Sequence, residues 1–398
     1  MARGAMLAAL LGALAVGTST VGQLGRHPIG RAVAASAPAR SSAPASAPTS
    51  RTRHYEYVFP DGSMDVYDAD HGHRLVQSHP LPDVKGLRGV AASPETGMLF
   101  LSYGNDFDGP GNLLAYDLIT DRVVWQRTYP FGVDSMALTP DGRRLYLPAG
   151  ELSPTSTWRV IDTADGAVRG TVQGGRGPHN TVVSANGSQV YLGGRNENRL
   201  YVVASATGRV LRRIGPLWGG VRPFTVDGPK HLAFTTATAR LGFQVSSIST
   251  GRVLYSVSFA GFHYDPAGFA PSAPSHGISL SPNGRQLWVL DAPNGYVHVF
   301  DVSGLPRRRP RALADVRLAA PLSGDETPCA YDCARDGWLQ HSVDGRFLYV
   351  GDVGEVIDTR RRRAVAFLPS LRQTRKHLEI DWRAGRPVAT STRIGLRR

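Results

Sequence analysis

Apolar residues along this chain come in short bursts, and one phrase recurs around them. It reads small apolar residues, Ser or Thr, one residue, Asp/Asn-Gly, a gap, then an apolar run containing Tyr, Trp or Leu. Ala137-Leu138-Thr139-Pro140-Asp141-Gly142 runs into Leu145-Tyr146-Leu147. Val183-Ser184-Ala185-Asn186-Gly187 runs into Val190-Tyr191-Leu192. Leu280-Ser281-Pro282-Asn283-Gly284 runs into Leu287-Trp288-Val289, and Ser342-Val343-Asp344-Gly345 into Phe347-Leu348-Tyr349-Val350. Weaker copies stand at Thr225–Gly228 and Ser93–Gly97. Asx-Gly between β-rich runs is the strongest hairpin signal a sequence carries, because both residues tolerate positive φ. A hairpin returning every ~40–60 residues at one phase predicts a β-propeller.

Between successive phrases lie a third and a fourth strand, joined by turns such as Asp117…Asp121, Asp162…Gly166, Thr207-Gly208-Arg209 and Thr250-Gly251-Arg252. These short polar residues cap the turn and Gly supplies positive φ, so they are read as structural punctuation. Six repeats have full four-strand character: 86–129, 132–173, 178–215, 221–259, 275–318 and 337–369. Residues 55–81 supply only later strands, and His377–Trp382 reads as a lone first strand. Joined, they make a seventh blade from both ends of the chain, which closes the ring and removes sheet edges. The prediction is an all-β, seven-bladed propeller of four-stranded antiparallel blades; Pro387–Thr392 have no assigned place in it.

The phrases Ser-Pro-Asn-Gly with Leu287-Trp288-Val289, Thr-Pro-Asp-Gly with Leu145-Tyr146-Leu147, and Thr-Gly-Arg-Val at 207–210 and 250–253 resemble those of the YVTN-repeat β-propellers of exported bacterial proteins. That family lies within the WD40/YVTN and quinoprotein-amine-dehydrogenase-like propellers. The resemblance covers roughly residues 54–395, and the literal Tyr-Val-Thr-Asn tetrapeptide is absent. It implies the fold and leaves the activity open. Ala115-Tyr116-Asp117…Thr120…Trp125 is similar to the tryptophan-docking motif of quinoprotein propellers, but parallel positions elsewhere are not Trp, so it reads as a structural echo with no quinone implied.

The N-terminus changes the picture from fold to address. Arg3 precedes an apolar stretch from Ala5 to about Val16, and an Ala/Ser/Pro/Arg tract follows. This predicts a signal peptide over 1–34, a linker over 35–53 and one propeller domain over 54–398, in an exported protein. Ala32-Val33-Ala34 has the form of a cleavage site, and Gly25-Arg26-His27 interrupts the approach to it, so an earlier cut or a retained anchor stays open. No later apolar run is long enough to span a membrane. In an exported chain, the only cysteines, Cys329 and Cys333, are most simply a local disulfide, with a thiol pair or metal ligands as alternatives.

The formal charge is +13 with a pI of about 10.1, and only Lys85, Lys230 and Lys376 among 45 cations are lysines. No basic stripe is interleaved with aromatics, so specific nucleic-acid binding is not expected. The runs Arg307–Arg309 and Arg360–Arg363 fall where solvated turns belong.

In a propeller, connections between blades and the loops after second strands share one face. The insertions 259–275 and 319–337 are both between blades, so they cover the face of those loops. Long loops in a compact fold are usually functional or disordered. Phe262, Tyr264, Phe269 and Tyr331 are candidate lid aromatics. Counting back five from each Ser/Thr gives the residue where a first strand enters the central channel: Arg88, Asp134, His179, Gly220, His276 and Gly337, with Arg222 close by. The loops add Asn105, Asp106, Asp108, Glu151, Arg195, Asn196, Glu197, Asp291 and Asp352. Such convergent polar groups fit a hydrated structural ring, a ligand site or a metal site. By ligand type a divalent metal ion suits His179 and His276 with Asp134 or Glu151. His263, His341 and His377 are lesser candidates.

No nucleophile elbow, zincin, Walker, dinucleotide or haem-attachment motif occurs. Two functions follow. The first is a monomeric, non-enzymatic scaffold binding a protein, glycan or small ligand through the loop-rich face. The second is a metal-dependent lactonase-like hydrolase at the channel mouth, with Arg88 or Arg222 holding an anionic substrate group.

Overall fold

The computed structural model describes residues 51–107, 109–267, 273–320 and 322–391. The expected signal over 1–34 and most of the expected linker lie outside the described residues, as do Asp108 and Phe269. Arg53 already belongs to a strand, Arg53–Val58.

Sequence repeats become sheets one for one. Six four-stranded antiparallel sheets, with strands A to D in chain order, span 87–129, 137–173, 178–214, 221–257, 278–317 and 338–367; these are blades 1 to 6. Blade 7 joins the two ends of the chain. His377–Arg383 is its strand A and pairs antiparallel with Arg53–Val58, setting Tyr55 opposite Ile380. Ser63–Asp68 and Arg74–Pro80 follow as C and D. The ring is therefore closed as the pattern predicts.

The recurrent phrase is a hydrogen-bonded device. Thr139 Oγ1 donates to Asp141 Oδ1 at 2.5 Å and accepts from Arg144 N at 3.0 Å, while Gly142 takes φ +69°. Ser281 with Asn283 and Ser342 with Asp344 repeat both bonds. The hydroxyl occupies backbone donors that the tight A–B turn leaves unpaired.

Strand B in blades 1 to 6 is buried on both faces, packed between neighbouring blades. Leu99 and Leu101 of blade 1 meet Tyr57, Leu378 and Ile380 of blade 7; Phe100 faces Leu145 and Leu147 of blade 2. Fully burying such a side chain contributes roughly 1.5–3 kcal/mol, so the stability of the ring lies between blades. Trp125 Nε1 donates to Thr163 O, tying strand D of blade 1 to blade 2, which gives the tryptophan echo its structural role. Arg307, Arg308, Arg309, Arg360, Arg361 and Arg363 are exposed at C–D turns.

Two features position the site. Arg386–Thr390 is a fifth strand of blade 7, paired to the axial edge of strand A. Gln340 of blade 6 donates to Ser391 Oγ at 2.8 Å, and Ser391 Oγ accepts from Glu379 N at 2.7 Å. This strand therefore lies at the Asx-Gly end of the channel. At the opposite end, the 319–337 insertion crosses from blade 6 to blades 7 and 1. Arg335 Nε donates to Arg372 O, and Ala330 N donates to Asp61 Oδ2 at 2.9 Å.

Candidate functional site

Each blade brings one charged or imidazole side chain to the start of strand A: Arg88, Asp134, His179, Arg222, His276, Asp336 and Arg375. All seven are buried. In three blades that direction has a local cause. Pairing between strands A and B skips Arg88 between Leu87 and Gly89, His179 between Pro178 and Asn180, and Arg222-Pro223 between Val221 and Phe224. A bulge removes a residue from the ladder and re-aims its side chain, here toward the axis.

The groups form a connected network. His179 Nδ1 lies 2.8 Å from Asp134 and 3.6 Å from Glu151. Glu151 accepts from Arg222 at 2.6 Å and pairs with Arg195 at 3.1 Å. His276 Nδ1 donates to Gly337 O at 2.9 Å, and its Nε2 is 3.7 Å from Asp336. Arg375 pairs with Asp332, Asp336, Asp352 and Glu326 at 3.2–3.8 Å. Arg88 lies 3.2 Å from Asp106 and 3.3 Å from Asp332.

Asp332 is the unusual member. Its side chain is 41% exposed, whereas Asp106, Glu151, Asp336 and Asp352 are nearly fully enclosed. It belongs to the inserted loop, sits at φ +46°, and is next to Cys333, which is disulfide-bonded to Cys329. Its carboxylate reaches down between two guanidinium groups of blades 1 and 7.

Burial and charge compete at every carboxyl. Burial opposes ionisation of Glu151, but Arg222, His179 and Arg195 outweigh it and hold the carboxyl well below its usual range. Asp332 is likewise lowered, because Arg375 and Arg88 overcome its burial. Asp106 is pushed up to about 6 by burial, against the pull of Arg88. Asp336 also rises to about 6 through burial, against Arg375 and Arg222. Burial and then Arg222 and Arg375 hold His276 well below the ordinary imidazole range, so it is neutral.

Beneath this network is a cavity of about 30 Å³ lined by Arg88, Ser135, Met136, Trp338, Gln340 and Lys376, among others. It has room for about one water molecule. Lys376 reaches it as half-buried neighbour of Arg375, and no ion pair falls to it among the described residues. Burial, followed by repulsion from Arg375, lowers its ammonium to about 8.

Sequence-predicted positions fare unevenly. Arg88, Asp134, His179, Arg222, His276, Glu151 and Arg195 are brought together. Gly220 and Gly337, reached by counting, give way to Arg222 and Asp336. Asp291 does not join them: its carboxylate accepts from Asn294 N at 3.1 Å and lies 3.1 Å from His298 Nε2, closing its own turn. Asn196 is exposed on the rim, its carbonyl accepting from Arg176. Among the lid aromatics, Tyr331 packs over Gly86 at the mouth, but Phe262 packs outward on Tyr296 and His298 of blade 5. His341 and His377 are buried between blades, bonded to Ser279 and Glu56. The metal set is also rearranged. His276 stands 6.3 Å from His179, ring to ring, while Asp134, Glu151 and His179 offer ligand atoms within 4.8 Å of one another. Arg222 and Arg195 already neutralise Glu151 there.

Arg375, Lys376, Asp332 and Asp336 escaped the sequence count. The closing blade has no Asx-Gly turn after strand A to count back from, and a residue arriving on an insertion has no phase.

No protein-family model matches the chain, and no curated protein matches it. Among solved structures, hydrazine synthase of Kuenenia stuttgartiensis is similar, with a TM-score of 0.51 and 18% identity over 79% of this chain and 88% of that one. At that identity the likeness is one of fold. Among the described residues no helix is long and apolar enough to cross a membrane.

Proposed function

We propose that this is an exported, YVTN-type propeller that binds a small carboxylate-bearing ligand at the channel mouth of its loop-rich face. Export is supported by the N-terminal apolar stretch and by the disulfide. The observation that carries the ligand class is Asp332, whose carboxylate lies between Arg88 and Arg375. A carboxylate held by two guanidinium groups marks a position built for that charge and shape. Because Asp332 arrives on a loop and stays partly exposed, it is the replaceable member of the network. Its place can be taken by the carboxylate of a ligand when the loop lifts.

Calorimetry with oxalate and succinate tests this on the wild type and on Asp332→Gly. Glycine suits the positive φ and removes the internal competitor. Binding should tighten about tenfold or more in the variant, the equivalent of one lost competing hydrogen bond to a charged group. Arg88→Ala should abolish it. Failure of both proteins to bind either acid at millimolar concentration would overturn the reading.

A second reading, metal-assisted hydrolysis, is favoured by one observation, the proximity of Asp134, Glu151 and His179. Elemental mass spectrometry of the wild type beside His179→Ala decides it. A stoichiometric metal lost in the variant supports hydrolysis; no metal in either removes it.

A further inference from the structure

Lys376 is a cation of the channel that the ligand-binding reading leaves unused. It follows Arg375 just before strand A of blade 7, and it lines the small cavity under the mouth. Val90, Met136, Trp338 and Leu378 are its apolar lining, with Ser135, Gln340 and His377 polar among them. Arg88 and Arg375, the two residues that hold Asp332, line the same cavity. An amine with no ion pair among the described residues, lining a partly apolar cavity and set beside two fixed cations, is in an environment that turns lysine into a nucleophile.

We propose that Lys376 condenses with the oxo group of a 2-oxo carboxylic acid whose carboxylate takes the place of Asp332 on Arg88 and Arg375. This rests on the carboxylate-binding reading and names its substrate class. A 2-oxo acid carries its carbonyl carbon directly on the carboxylate, so an anion seated at the mouth presents that carbon toward the cavity below. The neutral Nζ adds to the carbonyl carbon to give a carbinolamine. The C–O bond then breaks, the two amine protons leave with that oxygen as water, and a C=N bond remains. No oxidant or reductant is required.

The groups that tune this amine come from several elements. Arg375 and Arg88 lower its proton affinity, while Asp134 of blade 2 and Glu326 of the insertion raise it. The balance leaves the ammonium at about 8, after burial as the largest cause, so the reactive form grows as pH rises through that value.

The chain makes the test clean because it has only three lysines, Lys85, Lys230 and Lys376. The full chain would be incubated with glyoxylate or pyruvate and sodium cyanoborohydride, which reduces an imine to a stable amine, and the peptides mapped by mass spectrometry. At pH 8 the adduct should form on Lys376 at least about tenfold faster than on Lys85 or Lys230. Asp332→Gly should accelerate it and Arg88→Ala should suppress it. Lys376→Met, verified as folded by circular dichroism, should lose the fast adduct yet still bind oxalate. Equal labelling of all three lysines would overturn the proposal. So would oxalate binding without any Lys376 adduct, which leaves the anion site standing; absence of both oxalate binding and adduct removes the two together.

Discussion

The seam that closes the ring should make stability fall as pH rises, and Glu379→Gln should remove much of that fall. Glu379 lies on strand A of blade 7 directly opposite Glu56 in the ladder with Arg53–Val58. Like charges directly opposite across a sheet are destabilising. Both side chains are essentially unexposed. Burial, with Asp381 nearby, raises the Glu379 carboxyl from its usual 4.5 to about 8 despite the pull of His54. Burial and then Glu379 itself raise Glu56 well above its usual range. A carboxyl whose folded pKa is raised binds more protons folded than unfolded. Its contribution is fully present below the unfolded value and is lost as pH climbs through the folded one. For Glu379 that window runs from about 4.5 to about 8. His54, raised to about 9 chiefly by Glu379 and against its own burial, also loses its contribution as pH rises. One proton over the interval from pH 5.5 to 7.5 corresponds to roughly 1.4 kcal/mol per pH unit. The Glu379 share is therefore on the order of 2–3 kcal/mol. Glutamine keeps an acceptor for Val343 N, which bonds Glu379 Oε2 at 3.0 Å, and cannot ionise. Urea unfolding at pH 5.5 and 7.5 is the assay. The variant should match the wild type within about 1 kcal/mol at the lower pH and exceed it by about 2 kcal/mol at the higher one. Equal differences at both pH values would refute the reasoning, because a packing effect does not follow the proton.

Other perturbations report on separate parts of the structure. Arg222→Ala should cost about 3–5 kcal/mol in denaturant unfolding, since it leaves Glu151 buried without its 2.6 Å partner; a loss below about 1 kcal/mol would mean that Arg195 suffices. Replacing Cys329 and Cys333 together by Ser should cost at most about 2 kcal/mol, as the closed loop is short. Hydrogen exchange should then speed up in 326–335, and a change spread across the blades would contradict a local staple. Thr139→Ala should cost about 1 kcal/mol through the two bonds of its turn, with the midpoint of unfolding as the readout.

The repeats, their boundaries and the closure of the ring were legible because each depends on neighbours in sequence. An Asx-Gly turn needs only its own residues, and a strand buried between blades needs only a run of apolar ones. Arg88, Asp134, His179 and His276 were legible for the same reason: they stand at a fixed phase from a local turn. Phase says where a backbone position lies, but not what a side chain bonds. Asp291 has the phase of a loop residue at the mouth, yet its carboxylate is taken by Asn294 and His298 of its own blade. Asp332, Arg375 and Lys376 have no phase, and they meet Arg88 only because an insertion from one blade crosses to another and the two chain ends share a sheet. By itself the sequence determined the propeller, its blade count and the face on which polar groups gather, since short-range turns and alternation encode these. Tertiary structure alone decided which charges pair, which carboxylate lies partly exposed between two guanidinium groups and which lysine lines the channel cavity, because Coulomb energy in a buried site depends on distances of a few ångströms between residues hundreds of positions apart.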